Sequence, residues 1–285
     1  MNFGDSGSNP EDIAFFMESI FLKKFKRNVG QTVHSLNTVC VGLDYVRSGK
    51  AKKPAELDVR WKPANVVLSS EIARLYVVRA AHIFVTSSFK EYLKDIKLVF
   101  DFSADEQKIS DTAELIDLFE SKIALDVEKY RWIFLKLLVH NRNHIIHGSS
   151  RARLTSCERD ELNVQRDNIF NNHHHLDVIK MLEHVNAQSY TLKEISTLAT
   201  NAIYIANQLD ACFQKRVNSV YRIINVIKNT SLKESWENLC RSGNKEHWEN
   251  KKRTFLNMNF PFIDDPDLIS SFCSIDDKTL ESSFP

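Results

Sequence analysis

Glycine and proline are scarce in this chain, with 7 and 6 among 285 residues. Long stretches lack both, which argues against a turn-rich β protein and for helices. The five cysteines, Cys40, Cys157, Cys212, Cys240 and Cys273, are scattered and never form a C-x-x-C pair. Neither a disulfide framework nor a zinc module is expected, and a reducing cytosol is the simplest home. No apolar run approaches the roughly 20 residues that span a bilayer. Residues 1–11 lack the basic segment and apolar run of a secretory leader. These absences predict a soluble, cytoplasmic protein with no membrane contact. Neither charge dominates: 38 Lys+Arg face 37 Asp+Glu, a net charge of +1, so any contact with nucleic acid must come from a local patch. A Gly-rich phosphate loop, a nucleophile elbow and a dinucleotide fingerprint are all missing.

What is present is helical periodicity and bulk. Eighteen phenylalanines supply a heavy core or a sizeable interface. Asn9-Pro10-Glu11-Asp12 has the amide, proline and acids of a helix start. The helix it opens can run to about Val29, with Gly30 as an interruption before a second run from Gln31 to Val46. Lys50 to Pro63 is a basic, proline-punctuated connection. Ser69 or Ser70 begins a long helix through Ile72, Leu75, Val78, Ile83, Phe89, Leu93 and Ile96. A polar loop over Ser103–Ser110 and a short helix over Asp111–Phe119 precede a helix from Leu125 to about Ile146. In that helix Trp132-Ile133-Phe134-Leu135-Lys136-Leu137-Leu138-Val139 is apolar nearly all round, as a central buried helix would be. Ser149–Asn172 reads as a long polar loop. Helices are then expected over Leu176–Val185, from Thr191 to about Ile227, and over Leu232–Leu239. The end of the chain is acidic, with Phe255, Phe260, Phe262, Phe272 and Phe284 among the acids; disorder is the default for such composition. Docking of this tail on the basic residues near Arg151 and Arg153 is the alternative. The expected fold is all-α: an N-terminal helical extension and linker (1–63), a helical bundle (64–228), and a C-terminal helix with an acidic, aromatic tail (229–285).

The most specific chemistry lies where the apolar helix ends, in Leu138-Val139-His140-Asn141-Arg142-Asn143-His144-Ile145-Ile146-His147-Gly148. At 100° per residue His140, His144 and His147 fall within about 60° of one another, with Asn143 beside them. Arg142 and His147 are five residues apart and point about 140° apart in an ideal helix. They cannot grip one phosphate from a single straight helix. Either the helix ends near Arg142, where Gly148 suits a C-terminal stop, or another copy of the chain completes the site. Cleavage of RNA needs the 2′-hydroxyl deprotonated, the phosphorane charge neutralised and the leaving 5′-oxygen protonated. Histidine can move the protons, an arginine fork can hold phosphate oxygens, and an amide can orient either. No metal and no cofactor is required.

The order Arg142-Asn143, three residues, His147-Gly148 resembles the R-x4-6-H signature of HEPN domains. That resemblance implies an all-helical bundle in which Arg142 and His147 occupy the two signature positions and Asn143 the polar residue that often follows the arginine. It implies a dimer whose paired signatures line a composite cleft, and many such domains are metal-independent endoribonucleases. Members commonly act in toxin–antitoxin, abortive-infection and other defence systems, so RNA, a second copy, and an antitoxin or sensor protein are the implied partners. His147 is then the general acid/base, Arg142 the phosphate and transition-state ligand, Asn143 the orienting group and His144 a helper. Arg151 and Arg153 could extend a phosphate track, or be a solvated basic loop. Arg79 and Glu91, on the long helix before it, correspond to polar positions that support the site in some HEPN families; surface salt bridges are the plainer reading.

Two other function classes fit the same residues. A non-catalytic RNA- or protein-binding module would use Asn143 and His147 to cap the helix and stabilise a dimer seam. A metal-dependent hydrolase would use the i,i+4 pair His140 and His144, but no acid occupies the H-E-x-x-H position and packing or site support is the better reading. His173-His174-His175 is expected to be a solvated loop, and Cys157 lacks an assignable base.

Overall fold

The computed structural model describes residues 17–241 and 247–275. Among these residues the protein is all-helical, with no strand. In chain order the helices are α1 (Ile20–Arg47), α2 (Val66–Ile96), α3 (Ala104–Lys108), α4 (Thr112–Lys122), α5 (Lys129–Ile146), α6 (Ser156–Val164), α7 (Arg166–Asn172), α8 (Val178–Ala187), α9 (Leu192–Arg216), α10 (Val220–Asn229), α11 (Leu232–Arg241), α12 (Trp248–Asn259) and α13 (Pro266–Ser274). They form two compact units: one is Phe21–Leu209, the other Asp210 onward together with the residues up to Ile20.

The larger unit is built round α5. Trp132 to Leu135 and Leu137 to Val139 are all buried, so the helix must be enclosed on every side. α2, α4 and α6 pack against it. The His82 ring of α2 packs tilted against Tyr190 with ring centroids 4.7 Å apart, and the Tyr92 hydroxyl further along donates to the Ala206 carbonyl at 2.8 Å. The two contacts advance together, so α2 and α9 run parallel. Near the far end Arg131 of α5 lies 3.9 Å over the Tyr204 ring, and Asn201 donates to the Arg131 carbonyl at 2.8 Å. Leu137 and His140 share a cavity with Gln188 at the near end, so α5 runs antiparallel to both. The carboxyl end of α5 thus emerges beside the turn between α8 and α9. α1 joins through Phe25, whose ring lies 5.6 Å from Phe89 and 5.5 Å from Tyr92.

The smaller unit has its own aromatic core. Trp236 packs against Phe255 at 5.0 Å and Phe272 at 5.6 Å. Lys252 is buried and donates to the carbonyls of Cys273 and Ile275, closing the C-terminal end of α13. Asp210 accepts from the backbone and hydroxyl of Ser19.

Several boundaries differ from those expected, each for a local reason. α1 runs unbroken through Gly30, because burial of Phe25, Val29, Leu36 and Cys40 along one face outweighs the ~1 kcal/mol that a helical glycine costs. The expected start at Asn9–Asp12 lies outside the described residues. α2 begins before Ser69: Asn65 caps it by accepting from Leu68 N at 3.0 Å. The polar stretches Ser103–Ser110 and Ser149–Asn172 are not plain loops. Ser103 with Glu106, and Thr155 with Glu158, form capping boxes that start α3 and α6, and α7 follows. The helix expected from Thr191 to Ile227 divides, with α9 ending at Arg216 and Ser219 capping α10. The acidic tail is helical over α12 and α13 and buries Phe255, Phe260 and Phe272; Phe284 lies outside the described residues. His173 is likewise not solvated: it is buried, T-stacked on Tyr130 and Phe134, with Nε2 3.2 Å from the Tyr130 hydroxyl.

Burial pushes the His82 imidazole down to about 3, and neither ring nitrogen has a hydrogen-bond partner. The unfolded chain takes up this proton near 6.5, the native state only near 3. Stability therefore falls as pH drops between those values, by up to about 1.4 kcal/mol per pH unit. Asp95, raised to about 6 by burial, works in the opposite sense between 6 and 3.8. The parent and a His82→Leu variant share Asp95, so their difference isolates the histidine. Urea midpoints measured from pH 7 to pH 4 should show a flatter acid slope for the variant; parallel slopes would remove His82 from the account.

Candidate functional site

The last turns of α5 carry the motif, and the helix stays regular to Ile146. His147 is the C-cap, with φ −118° and ψ 85°; its backbone N–H donates to the Asn143 carbonyl at 2.8 Å. The stop is not a left-handed glycine cap, since Gly49 is the one glycine with positive φ among the described residues. Gly148 instead begins a turn in which Ser150 N donates to the His147 carbonyl at 2.7 Å.

A regular helix through Arg142 separates the motif into two faces. Arg142 and Asn143 are half-buried, and the arginine Nη1 donates to Asn143 Oδ1 at 2.9 Å. His147 is exposed, and its ring makes no hydrogen bond among the described residues. His140 and His144 face a cavity of about 520 Å³ that Arg142, Asn143 and His147 do not line. His144 Nε2 lies 2.7 Å from the Ala152 carbonyl, so that nitrogen carries the proton and donates. His140 Nδ1 is buried without a partner. Burial holds the His140 imidazole below its ordinary value; the Glu158 carboxylate opposes this, while His144 and Lys136 add to it.

Of the flanking arginines, Arg151 and Arg153 are both exposed, and Arg153 lines the cavity. Arg79 reaches the same end of the bundle: its Nη2 donates to the Gln188 carbonyl at 3.2 Å, while its Nε is buried and unpaired. Gln188 is the left-handed C-cap of α8, with φ 53°, and lines the cavity. Glu91 is not brought there. It sits twelve residues further along α2, ~18 Å at 1.5 Å per residue, exposed and paired with Lys94 at 3.3 Å.

The structure adds residues that sequence reading passed over. Arg159 and Asn163 of α6 and Glu183 of α8 line the cavity. Arg159 Nε and Nη2 both donate to the Leu154 carbonyl, at 3.2 and 3.0 Å. α6 is held in place by Lys136, whose ammonium pairs with Asp117 at 3.0 Å, Glu120 at 2.7 Å and Glu158 at 3.2 Å. Burial alone would lower the Lys136 ammonium, but bonds to Glu120, Asp117 and Glu158 outweigh it and hold it well above its ordinary value. Glu158 also accepts from Thr155 N at 2.8 Å, so one carboxylate caps α6 and ties it to α5. Thr155-x-x-Glu158 was the signal in the sequence that could have revealed α6.

No group of three or more His, Cys, Asp or Glu side chains with metal-holding geometry occurs among the described residues. No described helix is long and apolar enough to cross a membrane. No family model, curated protein or solved structure matches this chain.

Replacing Lys136 by methionine removes the cation shared by Asp117, Glu120 and Glu158. We expect Lys136→Met to lower stability by about 2 kcal/mol at neutral pH, with the loss shrinking below pH 4 as the acids protonate. Urea unfolding checks this; an unchanged midpoint at pH 7 would show that the cluster does not hold α6.

Proposed function

We propose that this chain is a HEPN-like, metal-independent endoribonuclease that acts as a homodimer, with Arg142 and His147 meeting in a cleft shared between two copies. The observation that carries the reading is the polar end of α5. There an arginine is held by the neighbouring amide, and an exposed histidine caps the helix without a side-chain bond to the fold. The His147 ring is exposed and makes no hydrogen bond among the described residues, so it is free to meet another molecule. Because Arg142 and His147 lie five residues apart at the end of a helix that is regular to Ile146, and so point about 140° apart, the reading brings in a second copy. A C2 pairing would supply both residues to each of two equivalent sites.

The chemistry follows from the groups. A neutral histidine takes the 2′-hydroxyl proton as the oxygen attacks the adjacent phosphorus. Arg142, oriented by Asn143, neutralises charge building on the non-bridging oxygens. An imidazolium returns a proton to the departing 5′-oxygen, leaving a 2′,3′-cyclic phosphate. His144 is the second histidine at this helix end, and Arg151 and Arg153 extend the positive track for the strand. Arg79 supports the end of the bundle through Gln188. On the resemblance alone we place the activity in a bacterial defence or toxin–antitoxin setting, regulated by an antitoxin or sensor protein.

Purified protein incubated with mixed RNA and single-stranded DNA in EDTA should cleave RNA alone, leaving cyclic phosphate ends. Arg142→Ala and His147→Ala should each slow cleavage by about 10²-fold or more, with stability within about 0.5 kcal/mol of the parent. Full activity in both variants would sink the assignment. RNA bound but never cut by the parent would replace it with the binding module.

A further inference from the structure

The connection between α1 and α2 carries charge that neither helix uses. From Lys50 to Lys62 it sets five cations (Lys50, Lys52, Lys53, Arg60 and Lys62) against two acids, Glu56 and Asp58, a local excess of three in a chain whose net charge is +1. We propose that this connection is a binding site for single-stranded nucleic acid, RNA and DNA alike, in which the five cations meet phosphates and Trp61 stacks on a base. Holding a strand needs neither Arg142 nor His147, so the proposal goes beyond the nuclease reading and does not rest on it.

Each of the five cations is exposed, and none makes a hydrogen bond or ion pair among the described residues. The arginines of the adjoining helix ends behave differently: Arg47 pairs with Glu71, and Arg74 with Asp44. Like charges crowded on one short segment repel one another, and a polyanion relieves this as its counterions give way to lysine and arginine. A turn in which Leu57 N donates to the Pro54 carbonyl at 3.3 Å separates Lys50, Lys52 and Lys53 from Arg60 and Lys62. Trp61 stands between these last two cations, half-buried, and its ring makes no aromatic contact among the described residues. An aromatic ring set among cations suits a single strand, since every base has a π face to offer. The bases of a duplex are already paired and stacked. Phosphate and stacking contacts pay no regard to the 2′-hydroxyl, hence RNA and DNA alike. The site also lies on the right side of the bundle. Thr86 of α2 donates to the Leu138 carbonyl of the antiparallel α5 at 3.5 Å. α2 begins ~30 Å before Thr86 and His147 caps α5 ~14 Å past Leu138, at 1.5 Å per residue. The connection therefore joins α2 beyond the level of His147.

Fluorescence anisotropy of the full chain with labelled strands of about sixteen nucleotides tests this. The probes are DNA, 2′-O-methyl RNA (which has no 2′-hydroxyl to attack) and the DNA duplex of the same sequence. Both single strands should bind, within about five-fold of each other. The triple variant Lys50→Gln, Lys52→Gln, Lys53→Gln should make the slope of log affinity against log salt shallower by about 2. Trp61→Ala should weaken both single strands about five-fold or more and leave the duplex unchanged. The five cations hold no other group of the fold, so loss of binding in the triple variant is not loss of structure. Absence of binding by both strands, or a triple variant with the parental salt slope, overturns the proposal. So does a Trp61→Ala variant that weakens duplex and single strands equally. Capture of the parent by anionic phospholipid vesicles without binding of either strand would assign the patch to a membrane surface instead. None of these titrations requires cleavage, so failure here and failure of the nuclease reading are seen separately.

Discussion

The enclosure of α5 is the constraint on which the larger unit depends. Seven of the eight residues from Trp132 to Val139 are buried, and no single neighbour can cover a helix that is apolar all round. α2, α4 and α6 therefore have to surround it. The eighth residue, Lys136, turns what would be a buried charge into a joint by gathering acids from α4 and α6. One lysine thus does for α6 what apolar contact does for α2 and α4. A half-buried cation of this kind is tolerable because its partners are already placed.

The same constraint explains why function collects at the end of α5. Enclosure fixes the helix rigidly, and rigidity is what catalytic or binding groups need. Once past Val139 the sequence changes from apolar to His, Asn and Arg, and these emerge on different faces of a helix that remains regular. The Arg142–Asn143 pair goes one way, His140 and His144 face the cavity, and His147 ends the helix in the open. On a regular helix Arg142 and His147 point about 140° apart, which argues against one chain bringing both to a single phosphate.

How much of this was legible in the sequence depended on whether the signal was local. The all-helical class followed from sparse glycine and proline, and the central helix from its unbroken apolar run. The separation of Arg142 from His147 followed from 100° per residue. Missed were features in which a short polar motif or a distant partner overrides composition. Thr155 and Glu158 start α6 inside a stretch that looks like a loop. The acids of the tail conceal Phe255 and Phe272, which pack on Trp236, and Phe260, whose ring meets Phe262. His173 stands in a run of three histidines that reads as polar, yet Tyr130 and Phe134 of α5 enclose it. Arg159 could not be placed near His140 and His144 until α6 was known to exist.

The central claim is that Arg142 and His147 act across two copies of the chain, and subunit mixing tests it most directly. Arg142→Ala and His147→Ala proteins would be denatured together, refolded and assayed on RNA in EDTA beside each variant alone. If each site takes its arginine from one copy and its histidine from the other, half the refolded dimers contain one intact site. The mixture should then recover roughly a quarter of parental cleavage while either variant alone stays inactive. A mixture no more active than its separate components, with mixed dimers shown to be present, would contradict the shared site.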